Sequence, residues 1–324
     1  MSTPTAIPSS ARVPPVLKTW VTTNPQLRMF HTLVRREFWE HRALWIAPLA
    51  VMCLLLIGAL WTHGAMQIDP TDSGEWLDPQ IKSIVFALAQ WGLTIPHYLV
   101  MILVLNFYLL DCLYAERKDR SILFWKSLPV GDGVTVGAKM FVGLALVPFG
   151  TYLVALVTDL LFTAIWDLRA VLSHAPELVL WDTMAFLKTQ ALMFLGLVIS
   201  ILWYAPFVGI LVLASAGFRR NPLMWVTVVP LLLVIFERIT FGTHHLSSLL
   251  AYRGDGIWGD LHLEPAVIGS LTGIGRAAIA SIPAIYDRVQ IAPAFTNIDL
   301  WLGVLFTAAC GFGAAWIRRY RDDT

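Results

Sequence analysis

Side chains able to do chemistry are few and scattered. Cys53, Cys112 and Cys310 lie far apart, inside or beside apolar runs. With no Cys-x-x-Cys or Cys/His spacing, they read as inert core thiols rather than a disulfide framework or metal ligands. His244 and His245 are adjacent, and neighbours at i, i+1 point apart on a helix, so a shared metal is not expected. The chain has no Gly-x-Ser-x-Gly, no His-Glu-x-x-His and no spaced acidic metal motif, which argues against intramembrane catalysis. It also lacks Gly-x4-Gly-Lys-Ser/Thr, so no P-loop cradles a nucleotide and no cofactor is expected in this chain. Any driving energy must then come from another subunit or an ion gradient. The exceptions are Asp159, Lys188, Glu237 and Arg238, charged residues in or at the ends of apolar runs, where burial is costly unless paired. Asp159 and Lys188 fall at comparable depth on two neighbouring runs. Mutual ion pairing, lining a substrate path and snorkelling to the interface are the roles open to them. Glu237 and Arg238 share the ambiguity.

Positioning these groups falls to elements that the composition constrains strongly. Of 324 residues, 57% are apolar and 14% charged, well outside the soluble average, and the chain reads as a membrane protein. A net charge of +1 provides no basic stripe for phosphates, so no nucleic-acid partner is expected. A hydrocarbon core about 30 Å thick requires roughly 20 helical residues per crossing. Six runs meet or approach that length: 43–62, 83–110, 140–166, 189–218, 221–240 and 300–317. The fifth is uncharged only over 221–236 and must continue through Glu237 and Arg238 to cross. Continuous rather than alternating apolarity favours helices over barrel strands. The expected fold is all-α and polytopic, with membrane lipid as surroundings and a transmembrane domain over 43–317. Gly143, Gly150 and the Ala309/Gly313 pair allow close helix contact and would suit a seam between two copies.

Basic residues orient the spans. With both termini cytoplasmic, only Lys82, Arg169, Lys188, Arg238, Arg253, Arg276 and Arg288 of the 23 fall outside, spread over long loops. Residues 1–26, rich in Pro, Ser and Thr, read as a cytoplasmic tail, and 318–324 as a cytoplasmic C-terminus. Over 27–42, Leu27, Phe30, Val34 and Phe38 recur at helical spacing while Arg28, Arg35 and Arg42 recur on another face. That pattern suits an amphipathic helix in the headgroup plane, or one packed on a partner. The outer segment 240–299 is too long for a turn. Its apolar part between Pro265 and Tyr286, interrupted by Arg276, predicts short re-entrant or interfacial helices before the last span, with a small outer lid packed only on protein as the other reading.

The cytoplasmic loop 113–133 is the most informative stretch. A dense cluster, Glu116, Arg117, Lys118, Asp119 and Arg120, precedes an amphipathic piece containing Phe124, Trp125 and Lys126, which Pro129 and Gly131 end. A short charged helix bearing aromatics is what docking into a soluble partner requires; an ordinary positive-inside loop with an interfacial Trp is the other reading.

The run Tyr114-Ala-Glu-Arg-Lys-Asp-Arg-Ser-Ile-Leu-Phe-Trp-Lys-Ser-Leu-Pro-Val130 resembles the corresponding loop of permease subunits in the bacterial type-2 ATP-binding-cassette exporter superfamily. The Arg35-Arg36-Glu37-Phe38-Trp39-Glu40 run and the six-span layout, over residues 27–320, are similar too. The resemblance implies a homodimeric or pseudo-dimeric permease in the inner membrane, bound to two cytoplasmic ATPase subunits that hold ATP and Mg. It makes 116–129 the coupling helix, with Glu116 through Arg120, Phe124, Trp125 and Lys126 facing the ATPase. It makes 27–42 the connecting helix, with Arg35, Arg36, Glu37 and Trp39. No substrate residues carry over. The function expected is ATP-driven export of an amphipathic, lipid-like, peptide or drug substrate. The competing expectation is a membrane scaffold or sensor that holds a partner through 113–133 without transporting anything.

Overall fold

The computed structural model describes residues 25–61, 79–127, 130–174, 178–260 and 292–320. Of the expected tail over 1–26, residues 1–24 lie outside them, as do the re-entrant helices between 265 and 286 and the last four residues; Pro25 and Gln26 belong instead to the first helix. The described residues contain helices and no strand. In chain order they form α1 (Pro25–Glu40), α2 (Ala43–Trp61), α3 (Pro79–Asp111), α4 (Tyr114–Lys118), α5 (Ile122–Ser127) and α6 (Asp132–Phe141). A π-turn (Val142–Leu146) joins α6 to α7 (Val147–Leu172), followed by α8 (Thr183–Gly217), α9 (Pro222–Phe241), α10 (His245–Asp260), α11 (Ala292–Thr296) and α12 (Ile298–Tyr320).

Six of these segments are long and apolar enough to cross a membrane: α2, α3, the continuous α6–α7 helix, α8, α9 and α12. The chain is an all-α, multi-pass membrane protein. Its outward face is apolar all round, with Leu54, Leu99, Leu153, Leu305 and Phe312 each more than half exposed, a pattern stable only where hydrocarbon replaces water. The spans coincide with the apolar runs but overshoot them: α8 begins at Thr183 and α12 ends at Tyr320. Charges mark the edge of the hydrocarbon, yet they do not end a helix whose backbone bonds close internally. The fifth span does run through Glu237 and Arg238, giving 20 residues.

Prolines shape the bundle. Pro48, Pro96, Pro206 and Pro230 sit inside α2, α3, α8 and α9. Pro148 instead follows the π-turn directly. Lacking an N–H, it removes the bond to the carbonyl four residues back, and the wider turn absorbs the mismatch. Gly150, which would have suited a seam between two copies, packs within the chain: a Cβ there would lie 2.5 Å from the Trp45 ring of α2. A Cβ on Gly209 would lie 3.1 Å from the Thr307 backbone of α12. Both mark close helix crossings.

The largest core cluster joins Leu44, Tyr108, Leu109, Val136, Val142, Val212 and Ala314 from α2, α3, α6, the π-turn, α8 and α12. It lies toward the side of the bundle where α1, α4 and α5 gather. There α1 packs on α6 through Phe30 and Phe141, whose ring centroids are 5.5 Å apart. At the opposite end Trp203, fully buried in α8, donates its indole N–H to the Arg253 carbonyl of α10 at 3.0 Å. Arg253 lies over the same ring and donates to the Asp299 carbonyl at 2.7 Å. Helix α10 is thereby fixed between α8 and α12.

Candidate functional site

Two polar constellations interrupt the apolar packing. The first lies where α1, α3, α4, α6 and α12 converge. Glu37 enters it because α1 turns Leu33 and Glu37 inward, one helical turn apart, leaving Arg35, Phe38 and Trp39 exposed. Its carboxylate accepts from Lys139 Nζ at 2.7 Å and Tyr108 Oη at 3.1 Å, with His41 at 3.4 Å. The same ammonium lies 3.2 Å from Glu116. Glu116 also accepts from Arg36 at 2.9 Å and from Arg318 of α12, and Arg318 reaches Asp132 of α6 at 2.9 Å. Lys139, Glu37, Arg318 and Glu116 are all buried. Three carboxylates, two guanidinium groups and one ammonium are thus shared among four segments, α1, α4, α6 and α12, with Tyr108 of α3 adding a hydroxyl donor, the condition under which charge is tolerated away from water.

Glu116, expected to face a partner, is buried among these side chains, and Glu37 of the expected connecting helix is buried with it. Arg117 also points inward. Its guanidinium donates to the Ser215 carbonyl and, at 3.0 Å, to the Phe218 carbonyl at the end of α8. There it satisfies carbonyls that the helix terminus leaves open. In return Ser215 Oγ accepts from the Leu113 and Tyr114 amides, each at 3.0 Å, at the start of α4. Arg120, with φ of 56°, makes the sharp turn into α5. The Arg36 guanidinium lies 3.8 Å from the centroid of the Trp125 ring, coupling α5 to α1. Lys118, Asp119, Arg120 and Lys126 are the exposed members of the cluster. Sequence reading missed Lys139, Arg318 and Asp132. Each looked like an ordinary charge at a span end, and only their convergence from α6 and α12 sets them apart.

Burial alone would raise the Glu37 carboxyl. The His41 hydrogen bond, the Lys139 ammonium and the Arg36 charge reverse this and bring it from 4.5 to about 2. A carboxyl lower in the folded state stabilises above its unfolded value and loses that contribution as pH falls through the folded one. Melting temperature in detergent is therefore expected to fall between pH 4.5 and about 2 and to fall less steeply in Glu37→Gln. Equal slopes in the two proteins would refute the assignment.

The second constellation lies between α3, α7 and α8. Asp159, fully buried, accepts from Gln190 Nε2 at 2.9 Å and from Thr94 Oγ1 at 3.4 Å. Next to it, the Thr158 hydroxyl contacts His97 Nε2 at 3.2 Å, and His97 Nδ1 contacts the Leu93 carbonyl at 2.9 Å. Lys188 does not join Asp159. It precedes Gln190 by two residues, so it points to the other side of α8 and is exposed. Gln90, Thr94 and His97 share one face of α3 at helical spacing, a signal readable in the run 83–110 but overlooked beside the charges. Glu237 serves the backbone instead. It accepts from the Thr243 hydroxyl and from the His245 and Leu246 amides at 2.7–2.9 Å, capping α10. Arg238, His244 and His245 are exposed. No group of three or more His, Cys, Asp or Glu able to hold a metal occurs among the described residues.

A cavity of about 660 Å³ opens beside the second constellation, lined by Trp91, Thr94, Tyr98, Met193, Gly196 and Tyr204 among mainly apolar neighbours. Comparison of the chain with protein-family models, curated proteins and solved structures finds no match in any of the three.

Proposed function

We propose that this chain is the membrane-spanning permease subunit of an ATP-driven exporter of the type-2 ATP-binding-cassette kind, working in the bacterial inner membrane with both termini cytoplasmic. Two cytoplasmic ATPase subunits and a second permease copy complete the assembly, and the cargo is amphipathic. One observation carries the reading: the short α4–α5 element is wired to the spans and to α1 from three directions. Glu116 ties it to α6 and α12 through Lys139 and Arg318, Arg117 ties it to the end of α8, and Trp125 ties it to α1 through Arg36. A force applied to α5 would pass into α6, α8 and α12 without first breaking a solvated loop, as a coupling element requires. A mere tether for a scaffold needs no such anchorage.

This division of roles gives a test. Lys118, Arg120 and Lys126 are exposed and form the docking charges, so Lys118→Glu/Arg120→Glu/Lys126→Glu is expected to lose copurification with the proposed partner ATPase while remaining folded and inserted. Retention of the ATPase by the triple variant would refute docking through this element. Failure of the wild-type protein to capture that ATPase would refute the exporter reading and leave the scaffold.

A further inference from the structure

The Asp159 constellation is incompletely satisfied. Asp159 Oδ1, Gln190 Oε1 and both polar atoms of the Gln90 amide have no hydrogen-bond partner, although Asp159, Gln90 and Gln190 are each more than nine-tenths buried. Asp159 makes no ion pair among the described residues; His97 is committed to Thr158 and Leu93, and Lys188 faces away. Unsatisfied buried acceptors are rare and costly. At its centre two oxygens, Asp159 Oδ1 and Gln190 Oε1, lack donors, and the Asp159 carboxyl has no cationic partner among the described residues. The ligand chemistry that answers both demands is a protonated amine, which offers up to three N–H donors and a positive charge.

The adjoining cavity specifies the rest of the molecule. Thr94 belongs to both: it lines the cavity, and its hydroxyl contacts Asp159 and, at 3.7 Å, Met193 Sδ. Besides Thr94 the lining carries Asn106, Ser200 and the hydroxyl-bearing Tyr98 and Tyr204, and is otherwise apolar, with Trp91, Met101, Leu105, Leu197 and Phe207. A volume of about 660 Å³ lies in the range of sites for drug-sized ligands. The Thr94 hydroxyl beside Asp159, in a cavity that is otherwise mainly apolar, matches a molecule with one cationic head on a hydrocarbon body.

We infer that this site binds a lipophilic amine, its ammonium group beside Thr94 against Asp159 and Gln190 and its hydrocarbon body in the cavity. The inference deepens the permease reading by naming the cargo class, and depends on it only for transport.

The test uses the full chain in nanodiscs of zwitterionic lipid without ATPase, following tryptophan fluorescence during titration with dodecylammonium or dodecanol. Dodecylammonium is expected to bind at least about tenfold more tightly than dodecanol, the scale of a charge-assisted hydrogen bond. Asp159→Asn, which keeps the shape and removes the charge, brings the ratio close to one and leaves dodecanol binding unchanged. Gly196→Phe, whose side chain would grow into open space at the lining, weakens both ligands. Should Asp159→Asn not fold, Gln190→Met is expected to lower the same ratio. An unchanged ratio in the folded charge or amide variant overturns the site, as does stabilisation by sodium chloride over choline chloride without dodecylammonium preference, which marks an alkali-cation site. Because no ATPase is present, a null result removes the cargo class and leaves the permease reading intact. Amine binding that never alters the rate of a bound ATPase does the reverse.

Discussion

Lys139→Met is expected to destabilise the protein by about 3–5 kcal/mol, the cost of breaking a buried ion pair by removing one partner. Lys139 is almost completely buried and serves two acids, Glu37 at 2.7 Å and Glu116 at 3.2 Å. Methionine fills the space of the stem but leaves the Glu37 carboxylate with Tyr108, His41 and a more distant Arg36 at 3.6 Å. The control is Glu37→Gln/Lys139→Met, in which charge is removed from both sides. Because an uncompensated charge rather than the lost attraction dominates the cost, the double variant is expected to recover part of the loss. Chemical unfolding in detergent reads both. Additive losses, or a single variant that unfolds like wild type, would show that the network is held by its surroundings rather than by Lys139.

Arg117→Ala is expected to separate ATPase binding from transport. Arg117 faces the Ser215 and Phe218 carbonyls at the end of α8, so its removal leaves the exposed charges of α4 and α5 in place and cuts one route into the bundle. The ATPase should still copurify, while the cargo-dependent change in its hydrolysis rate falls about 5–150-fold, the range of a typical coupling free energy. Lys118→Glu/Arg120→Glu/Lys126→Glu should give the opposite pattern, with loss of the complex itself. If Arg117→Ala releases the ATPase, the side chain is a docking residue after all and the wiring argument falls.

The two halves of the ionic constellation differ in how much of them could be read from residue order. Glu116 and Arg117 stood out as part of a dense charge cluster, but the cluster gave no sign of which members turn inward. That choice follows from the short turn of α4, which aims Glu116 at α6 and α12 and Arg117 at α8, and leaves Lys118 to Arg120 in the open. Glu37 was legible as one residue of an Arg-Arg-Glu run. Its burial depends on Lys139, about a hundred residues later, being delivered to the same point. Within the spans, Asp159 was conspicuous because a lone carboxylate in an apolar run is conspicuous. Its partners Thr94 and Gln190 were not, since isolated Thr and Gln are ordinary in such runs and acquire a role only through a common focus.

Composition and hydropathy alone determined that the chain is a helical membrane protein with six crossings near 43–62, 83–110, 140–166, 189–218, 221–240 and 300–317. Lipid imposes on each segment, independently of the others, enough apolar length and internally closed backbone bonds. Only the tertiary structure decided which charges meet, that Lys188 turns from Asp159, that Glu237 caps α10, and that Gly150 and Gly209 seat neighbouring helices of the same chain. These depend on helix rotation and crossing, set by side chains far apart in sequence, and an unpaired charge or polar group in hydrocarbon becomes stable only once that packing supplies its partner.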